Sequence, residues 1–266
     1  MPKENINNVE IYYDLKEGKN ETIAFLNGVA MNTTLWKNQI NYFKNNNQIL
    51  LHDFRGQGQS SLKLNNFTFD QHVEDFYSLL EKLDIEKVHI VGVSYGAEVA
   101  MHFALKYPDK INTLTLGTAV SEVKPLLKAQ IESWIMTAKT YNGKLFYKVM
   151  SPFVYSNYFY EENSKWLEKR AEKFGENVSK DWLDAFVGLC NNFLSLDITD
   201  DLSKINIPTL IVSGKEDILK PPSYGKIINQ NIKNSKFEIV DRAAHGLFAE
   251  KPAEFNKLIK NFIDQQ

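Results

Sequence analysis

The chain has 266 residues, of which 43% are hydrophobic and 24% are charged, and its formal net charge is -2. This composition is typical of a soluble globular protein with one large core or two small ones. A nearly neutral chain without a dense Lys and Arg block excludes general attraction to nucleic acid or to an anionic membrane. The single cysteine, Cys190, excludes a disulfide framework and a paired-cysteine metal site.

The N-terminal residues are polar and lack the apolar stretch of a secretory signal. No run of about eighteen apolar residues, the length that crosses a bilayer, occurs in the chain. We therefore expect a cytoplasmic protein, either a monomer or a homodimer, that acts on a small molecule and does not bind membranes.

Residues 1–118 alternate short aliphatic runs with amphipathic stretches. The clearest predicted helix runs from Phe69 to Leu83, with apolar residues at helical spacing. Strands that alternate with helices predict a mostly parallel sheet covered on both faces, with functional groups beyond the carboxyl ends of its strands. The predicted strands of this part are 10–13, 22–26, 48–51, 88–93 and 113–116.

From residue 119 to residue 203 the strand pattern gives way to helical stretches rich in aromatic residues. We predict a helical cap inserted into an α/β core formed by residues 1–118 and 204–266, where strands at 208–214 and 235–240 and a helix at 252–263 complete the sheet. Some of the aromatic side chains are expected to form an apolar roof over the sheet, and others to pack the cap against the core. The aromatic residues behind this prediction are Trp134, Tyr141, Phe146, Tyr147, Phe153, Tyr155, Tyr158, Phe159, Tyr160, Trp166, Trp182, Phe186 and Phe193.

A candidate nucleophile lies in Gly92-Val93-Ser94-Tyr95-Gly96, a G-x-S-x-G motif between a predicted buried strand and a predicted helix. A serine at such a turn is held exposed in a strained backbone conformation. Glycines flank it because side chains there would collide with the neighbouring strand and helix. The alternative, a tight turn that happens to contain serine, is disfavoured by the strand and helix on its two sides.

A serine hydroxyl needs a general base, and His245 is the predicted one because it follows the last strand and is flanked by small residues. His102 is nearer in sequence, but eight helical residues place it ~12 Å along the helix from the serine. The remaining histidines lie in predicted strands or in the amphipathic helix, where packing is the usual role: His52, His72 and His89.

The carboxylate that orients the base is predicted to be Asp217. Gly214-Lys215-Glu216-Asp217 follows a predicted strand, so both acids lie at the sheet edge that carries the other groups. Asp217 is favoured since the third residue after the glycine points back across the strand ends, while Glu216 is expected to face solvent. Glu216 remains the alternative.

An oxyanion also requires hydrogen-bond donors. We predict the backbone N–H of Tyr95, directly after the nucleophile, and that of Val29, in the loop after the strand at 22–26. Gly28 allows the tight turn that aims the second donor. A plain turn at Asn27-Gly28 is the alternative.

Together these residues resemble the α/β-hydrolase superfamily, in particular its capped serine esterase, lactonase and C-C hydrolase branch. The resemblance covers nearly the whole chain. Two positions depart from it: Asn27-Gly28 where such proteins usually carry His-Gly, and Ala244-His245 where they usually carry Gly-His. The motifs that carry the resemblance are Asn27-Gly28, residues 53–60, residues 92–96, residues 214–217, and His245 followed by residues 250–252.

The resemblance and the residues predict a hydrolase of a small carboxylic ester, thioester or lactone, with Ser94, Asp217 and His245 as its catalytic groups and without a cofactor or a metal. The Gly56-Gln57-Gly58 run lacks the third glycine of a dinucleotide fingerprint, and we interpret it as a structural loop. Hydrolysis of a C-C bond and cofactor-free perhydrolysis remain alternatives. A small-ligand receptor that retains the three residues is an alternative of another class.

Overall fold

The computed structural model describes residues 2–63 and 67–266. In this part of the chain eight strands form one sheet: β1 (Lys3–Ile6), β2 (Val9–Lys16), β3 (Asn20–Leu26), β4 (Asn47–His52), β5 (Val88–Val93), β6 (Ile111–Gly117), β7 (Thr209–Gly214) and β8 (Ser235–Val240). Their order across the sheet is β1-β2-β4-β3-β5-β6-β7-β8. The pairs β1-β2 and β2-β4 are antiparallel, and the others are parallel. The predicted fold, a mostly parallel α/β sheet flanked by helices, is confirmed.

Helices connect the strands. The helices of the described residues are α1 (Lys37–Phe43), α2 (Phe69–Lys82), α3 (Tyr95–Lys106), α4 (Pro125–Ala138), α5 (Gly143–Val154), α6 (Asn157–Asn177), α7 (Lys180–Phe193), α8 (Pro222–Asn231), α9 (Leu247–Glu250) and α10 (Pro252–Ile263). Short 3-10 helices cover Thr33–Trp36, Pro108–Lys110 and Thr199–Lys204. Within this part of the chain, none of the helices combines the length and apolar character that crossing a bilayer would require.

The aliphatic runs become strands because both faces of the sheet are covered. Every residue of β5 and of β7 is buried. Side chains along a strand alternate between its faces, so in β3 Ile23 and Phe25 enter one hydrophobic core, while Ala24 and Leu26 enter the other. A continuous aliphatic run is therefore the expected signature of a central strand here.

Strand β1 is missing from the sequence predictions. Of its four residues only Ile6 is buried, and the strand pairs with β2 at the edge of the sheet. Such a short, mostly polar edge strand carries no hydrophobic alternation, and its existence depends on pairing with β2.

Four helices, α4 to α7, lie between β6 and β7 in the chain, and we call them the helical insertion. Helix α4 packs against α5 and α7, and α5 packs against α6. The insertion falls within residues 119–203, the segment in which the sequence predicts a cap.

Two buried histidines make the stability of the fold dependent on pH. Burial lowers the pKa of His52 to about 3; His72 also has a pKa of about 3, lowered first by burial and then by Arg55 and His52. The rings stay neutral in the folded chain, while the unfolded chain binds protons below its ordinary histidine pKa of about 6.5. Each histidine therefore contributes stability that is present above about pH 6.5 and is lost progressively as the pH falls towards 3.

We expect the free energy of unfolding to fall by about 2 kcal/mol for each of these histidines between pH 7 and pH 5. His72→Leu is expected to remove one of the two contributions, because the leucine has no proton to bind in the unfolded state. Urea unfolding of both proteins at the two pH values measures the difference. An equal loss in the variant and the original protein would contradict this assignment.

Candidate active site

The predicted nucleophile lies at the turn between β5 and α3. Ser94 has a φ of 51° and a ψ of -123°, a left-handed conformation that is strained for a residue with a side chain. A Cβ on Gly92 would lie 2.4 Å from the Gly96 carbonyl oxygen, and one on Gly96 would lie 2.2 Å from that of Leu26. The glycines at both positions therefore allow the tight approach of β5, β3 and α3 that presents Ser94.

The structure brings the three predicted side chains into one hydrogen-bonded chain. His245 Nε2 lies 2.9 Å from Ser94 Oγ, and His245 Nδ1 lies 2.9 Å from Asp217 Oδ2. The other carboxylate oxygen, Asp217 Oδ1, accepts backbone hydrogen bonds from Leu219 (2.9 Å) and Lys220 (2.8 Å). With Nδ1 protonated, the imidazole donates to the carboxylate and its Nε2 accepts from the serine hydroxyl. This arrangement can take a proton from the serine.

The sheet explains why residues so distant in sequence meet. Strands β5, β7 and β8 are parallel, and Ser94, Asp217 and His245 all follow the carboxyl end of one of them. A Cβ on Gly214 would lie 2.3 Å from the Ala244 carbonyl oxygen, so the loops after β7 and β8 touch where Gly214 ends β7. Glu216, the alternative acid, is half-buried, and its backbone N–H donates to Ala243.

The other histidines form no hydrogen bond to the serine and have other neighbours. His102 stacks on Phe69 with ring centroids 4.5 Å apart, and burial lowers its pKa to about 4. The ring of His89 lies between Thr113 Oγ1 at 2.8 Å and Glu21 Oε2 at 2.9 Å.

Two backbone N–H groups beside the serine have no hydrogen-bond acceptor among the described residues. Neither the Val29 N–H nor the Tyr95 N–H donates a hydrogen bond to any residue among 2–63 and 67–266. The backbone of Gly28 lies against the serine, since a Cβ there would be 3.5 Å from Ser94 Cβ. The side-chain amide of Gln57 donates to the carbonyls of Gly28 (2.9 Å) and Val29 (3.1 Å) and so fixes the loop that carries one of these donors.

Asn27, one of the two departures from the usual pattern, braces the start of the same loop. Its Nδ2 donates to the His52 carbonyl and to Asp53 Oδ1, both at 3.1 Å. Its Oδ1 accepts from Trp36 Nε1 at 2.8 Å. The Asn27 amide thus forms hydrogen bonds with three buried groups. These bonds anchor the loop without a histidine at this position.

The glycine-rich run after β4 wraps around a carboxylate of the chain itself. Gly58 has a φ of 49°, and a Cβ on it would lie 2.0 Å from Asp53 Oδ2, which accepts from the backbone N–H of Gln59 at 2.9 Å. The Asp53 carboxylate thus fills the space inside this loop and accepts the hydrogen bond of its Gln59 backbone N–H. Among the described residues, no three His, Cys, Asp or Glu side chains form a group that could hold a metal ion.

A cavity of ≈ 130 Å³ opens beside Ser94 and His245. Its walls are mostly apolar, and the helical insertion contributes Trp134, Tyr147, Tyr155, Phe174 and Arg170 to them. Some of the aromatic residues behind the predicted roof thus line the cavity. Others do not: Phe146 and Phe186 are fully buried in the main core, and Tyr141 and Trp166 are exposed.

Sequence reasoning missed two polar residues that line this cavity, Thr118 and Arg170. Thr118 lies one residue beyond β6, lines the cavity and has a φ of 48°, which is unusual for a β-branched residue. Its hydroxyl is buried and has no hydrogen-bond partner among the described residues. The position of Thr118 just after a central parallel strand is the signal that could have found it. Arg170 had no such signal, because it lies in a helix rich in Lys and Glu.

The sequence from residue 21 to residue 252 matches the family model described as the alpha/beta hydrolase fold. This chain belongs to the alpha/beta hydrolase family. A solved structure described as MGS-M2, an alpha/beta hydrolase enzyme from a Medee basin deep-sea metagenome library, superimposes with a TM-score of 0.95 at 33% identity, covering 100% of this chain and 98% of that one.

Curated relatives of this alpha/beta hydrolase include 3-oxoadipate enol-lactonase 1 of Acinetobacter baylyi, which is 23% identical over 91% of this chain and 88% of its own length. The 2-hydroxy-6-oxononadienedioate/2-hydroxy-6-oxononatrienedioate hydrolase 1 of Pseudomonas putida is 28% identical over 95% of this chain and 90% of its own length. Family membership and these names support a hydrolase and leave the bond that it cleaves open.

Proposed function

We propose that the protein is a cofactor-free serine hydrolase that cleaves a small carboxylic ester, thioester or lactone through an acyl-enzyme on Ser94. The observation that carries this proposal is the hydrogen-bonded chain from Ser94 through His245 to Asp217. The strained backbone at Ser94 adds to it, because such strain persists where the surrounding structure holds a residue in place for function.

In the proposed reaction His245 takes the proton of the Ser94 hydroxyl while the serine oxygen attacks the substrate carbonyl. Asp217 keeps the imidazole in the correct tautomer and stabilises the imidazolium that forms. The backbone N–H groups of Val29 and Tyr95 then donate to the oxyanion, each stabilising the transition state by about 3 kcal/mol. His245 returns the proton to the leaving group, and a water molecule hydrolyses the acyl-enzyme by the same steps.

We propose that the helical insertion acts as a cap over this site. Ser156, at the N-cap of α6, donates to Glu250 through its backbone at 3.2 Å, and Glu250 also accepts from the Ala244 backbone at 3.1 Å. Gly246 N–H donates to the Val154 carbonyl at 2.7 Å. These contacts tie the insertion to the loop of His245 on both sides of the histidine.

The size of the cavity supports a small substrate. At ≈ 130 Å³ it is close to an engineered apolar cavity of about 150 Å³ that holds one benzene molecule. The enol-lactonase relative favours a lactone or another carboxylic ester. Hydrolysis of a C-C bond is the second candidate, supported by the name of the Pseudomonas putida relative.

A panel of activated esters of graded acyl length, run beside lactones and thioesters, tests the proposal. We expect the highest kcat/KM for short acyl groups, with mass spectrometry locating a fluorophosphonate label on Ser94. A receptor of this fold would instead show strong thermal stabilisation by a ligand with turnover at background. Turnover at background across the whole panel, with no label on Ser94, would exclude the proposed function.

Gln57 gives a test of the proposed oxyanion loop. Gln57→Leu keeps the size of the buried side chain but removes both hydrogen bonds to the Gly28 and Val29 carbonyls, so the Val29 N–H is no longer held in place. We expect kcat to fall by about 10- to 100-fold, with a smaller change in KM, because the donor acts mainly in the transition state.

The matched control is Gln59→Leu, two residues along the same loop, whose side chain is exposed. It is expected to keep the original kcat. A Gln57→Leu protein that changes KM alone would contradict the positioning role.

A further inference from the structure

One part of the active-site cavity is not apolar. Among the described residues that line it, Arg170 of α6 is the only Asp, Glu, Lys or Arg. Ser94 and His245 line the same cavity, so one small molecule bound in it would lie against Arg170 and the proposed reacting residues together.

Arg170 is not neutralised by the protein. Within residues 2–63 and 67–266, no carboxylate forms an ion pair or hydrogen bond with it, and its guanidinium carbon lies 5.2 Å from the centre of the Trp166 ring. The acidic residues within one helical turn of Arg170 form ion pairs with other residues: Glu168 pairs with Lys148, and Glu172 pairs with Lys144. A half-buried guanidinium stacked on an aromatic ring therefore keeps its hydrogen-bond donors for another partner.

Two tyrosines accompany this cation in the cavity wall. The Tyr147 hydroxyl is buried and has no hydrogen bond of ordinary geometry to any described residue. Burial and the neighbouring Tyr147 raise the pKa of the Tyr155 hydroxyl above its usual range, and the positive charge of Arg170 acts in the opposite direction. The Tyr155 hydroxyl is thus a neutral donor beside a permanent cation.

These groups match one chemical class. A carboxylate accepts two parallel hydrogen bonds from a guanidinium, and it accepts further bonds from neutral hydroxyls. Apolar walls strengthen the attraction, since they exclude the water that would screen it. A single cation balances one negative charge, and the cavity has room for only a small molecule, so a monoanionic carboxylate fits better than a phosphate with a charge near two.

We propose that Arg170 determines substrate specificity by binding a free carboxylate of the substrate, so that the preferred substrate is a small ester or lactone that also carries a carboxylate group. This inference rests on the proposed hydrolase function and narrows it to one substrate class. Hydrolysis of an ester with the free carboxylate on its acyl side would give a dicarboxylate and an alcohol, and hydrolysis of a lactone with a free carboxylate would give a hydroxy dicarboxylate.

Two methyl esters of similar length test this specificity: monomethyl glutarate, which carries a carboxylate, and methyl hexanoate, which does not. We expect the original protein to prefer the glutarate ester. In Arg170→Gln the ratio of the two kcat/KM values is expected to fall about 100-fold, because the anion loses a charged hydrogen-bonding partner in an apolar site. Lys169→Gln is the matched control, since Lys169 is the exposed neighbour of Arg170 on the same helix, and it should keep the original ratio.

Binding of glutarate without turnover separates this inference from the proposed function. We expect glutarate to raise the Tm of the original protein and to lose this effect in Arg170→Gln but not in Lys169→Gln. That result together with no ester turnover would exclude the hydrolase function and keep the carboxylate site. Ester turnover with an equal ratio in Arg170→Gln and the original protein, or no effect of glutarate on the Tm, would overturn the carboxylate site and leave the hydrolase function intact.

Discussion

Ser94→Ala is expected to lower kcat for every ester that the protein hydrolyses by about 10⁴- to 10⁶-fold, the range seen when a catalytic serine is removed from a serine hydrolase. The substitution deletes only the oxygen that would attack the substrate. The imidazole of His245 and the backbone N–H groups of Val29 and Tyr95 remain, so substrate binding and the proposed oxyanion site should persist. Steady-state kinetics with a short activated ester measures the loss.

The fold should tolerate this change, because alanine needs no more space than serine at the turn. Far-UV circular dichroism and the Tm are expected to match those of the original protein. Ser164→Ala is the matched control, since Ser164 lies on the exposed side of α6 and makes no side-chain hydrogen bond within the described residues. A folded Ser94→Ala protein that keeps kcat within about 10-fold would place the chemistry elsewhere.

Features that depend on local sterics and on strand order were predictable from the sequence. Gly92 is needed because the backbone of α3 comes within contact distance of it, and Gly96 is needed because the backbone at the end of β3 does; the motif itself specifies both glycines. His245 and Asp217 were found by their positions after strands, because parallel strands end at one edge of the sheet. For this reason three residues that span 151 positions of the chain could be assigned to one site.

Features that depend on how the helical insertion packs were not predictable. Arg170 lies among Lys165, Glu168 and Lys169 in a stretch that resembles any exposed helix surface, and only the orientation of α6 turns it towards the cavity. The departure at Asn27 was visible, but the three groups that its amide satisfies come from β4, the loop after it and a 3-10 helix. Such contacts exist only once the chain has folded.

A buried ion pair between Glu98 and Lys220 is another feature without a local signal. Lys220 Nζ lies 3.0 Å from Glu98 Oε1 and 2.9 Å from Oε2, and the exposed fractions of the two side chains are 2% and 0%. Glu98 lies four residues after Ser94, and Lys220 lies three residues after Asp217. The pair therefore connects α3, the helix that begins directly after Ser94, to the loop that carries Asp217.

Glu98→Gln is expected to lower the free energy of unfolding by about 3–5 kcal/mol. The physical reason is the charge that remains: Lys220 would stay buried with no carboxylate to compensate it, in surroundings where burial already raises the pKa of the Glu98 carboxyl. The glutamine oxygen can still accept the hydrogen bond that the Val120 backbone donates to Glu98 at 3.0 Å. The loss of stability therefore measures the effect of the charge and not of that hydrogen bond. Urea unfolding at neutral pH measures it, with the exposed pair of Asp264 and Lys260 as a comparison, where Asp264→Asn should change stability little.

The double variant Glu98→Gln, Lys220→Met decides whether the charge is responsible. Methionine has nearly the shape of lysine without its charge, so removing the second partner should restore most of the stability that Glu98→Gln loses. The double variant should then be more stable than Glu98→Gln by about 2 kcal/mol or more. A double variant that is less stable than Glu98→Gln would mean that the two side chains stabilise the fold independently, through their packing. In that case the connection between α3 and the loop of Asp217 would depend on the packing of the two side chains and not on their charge.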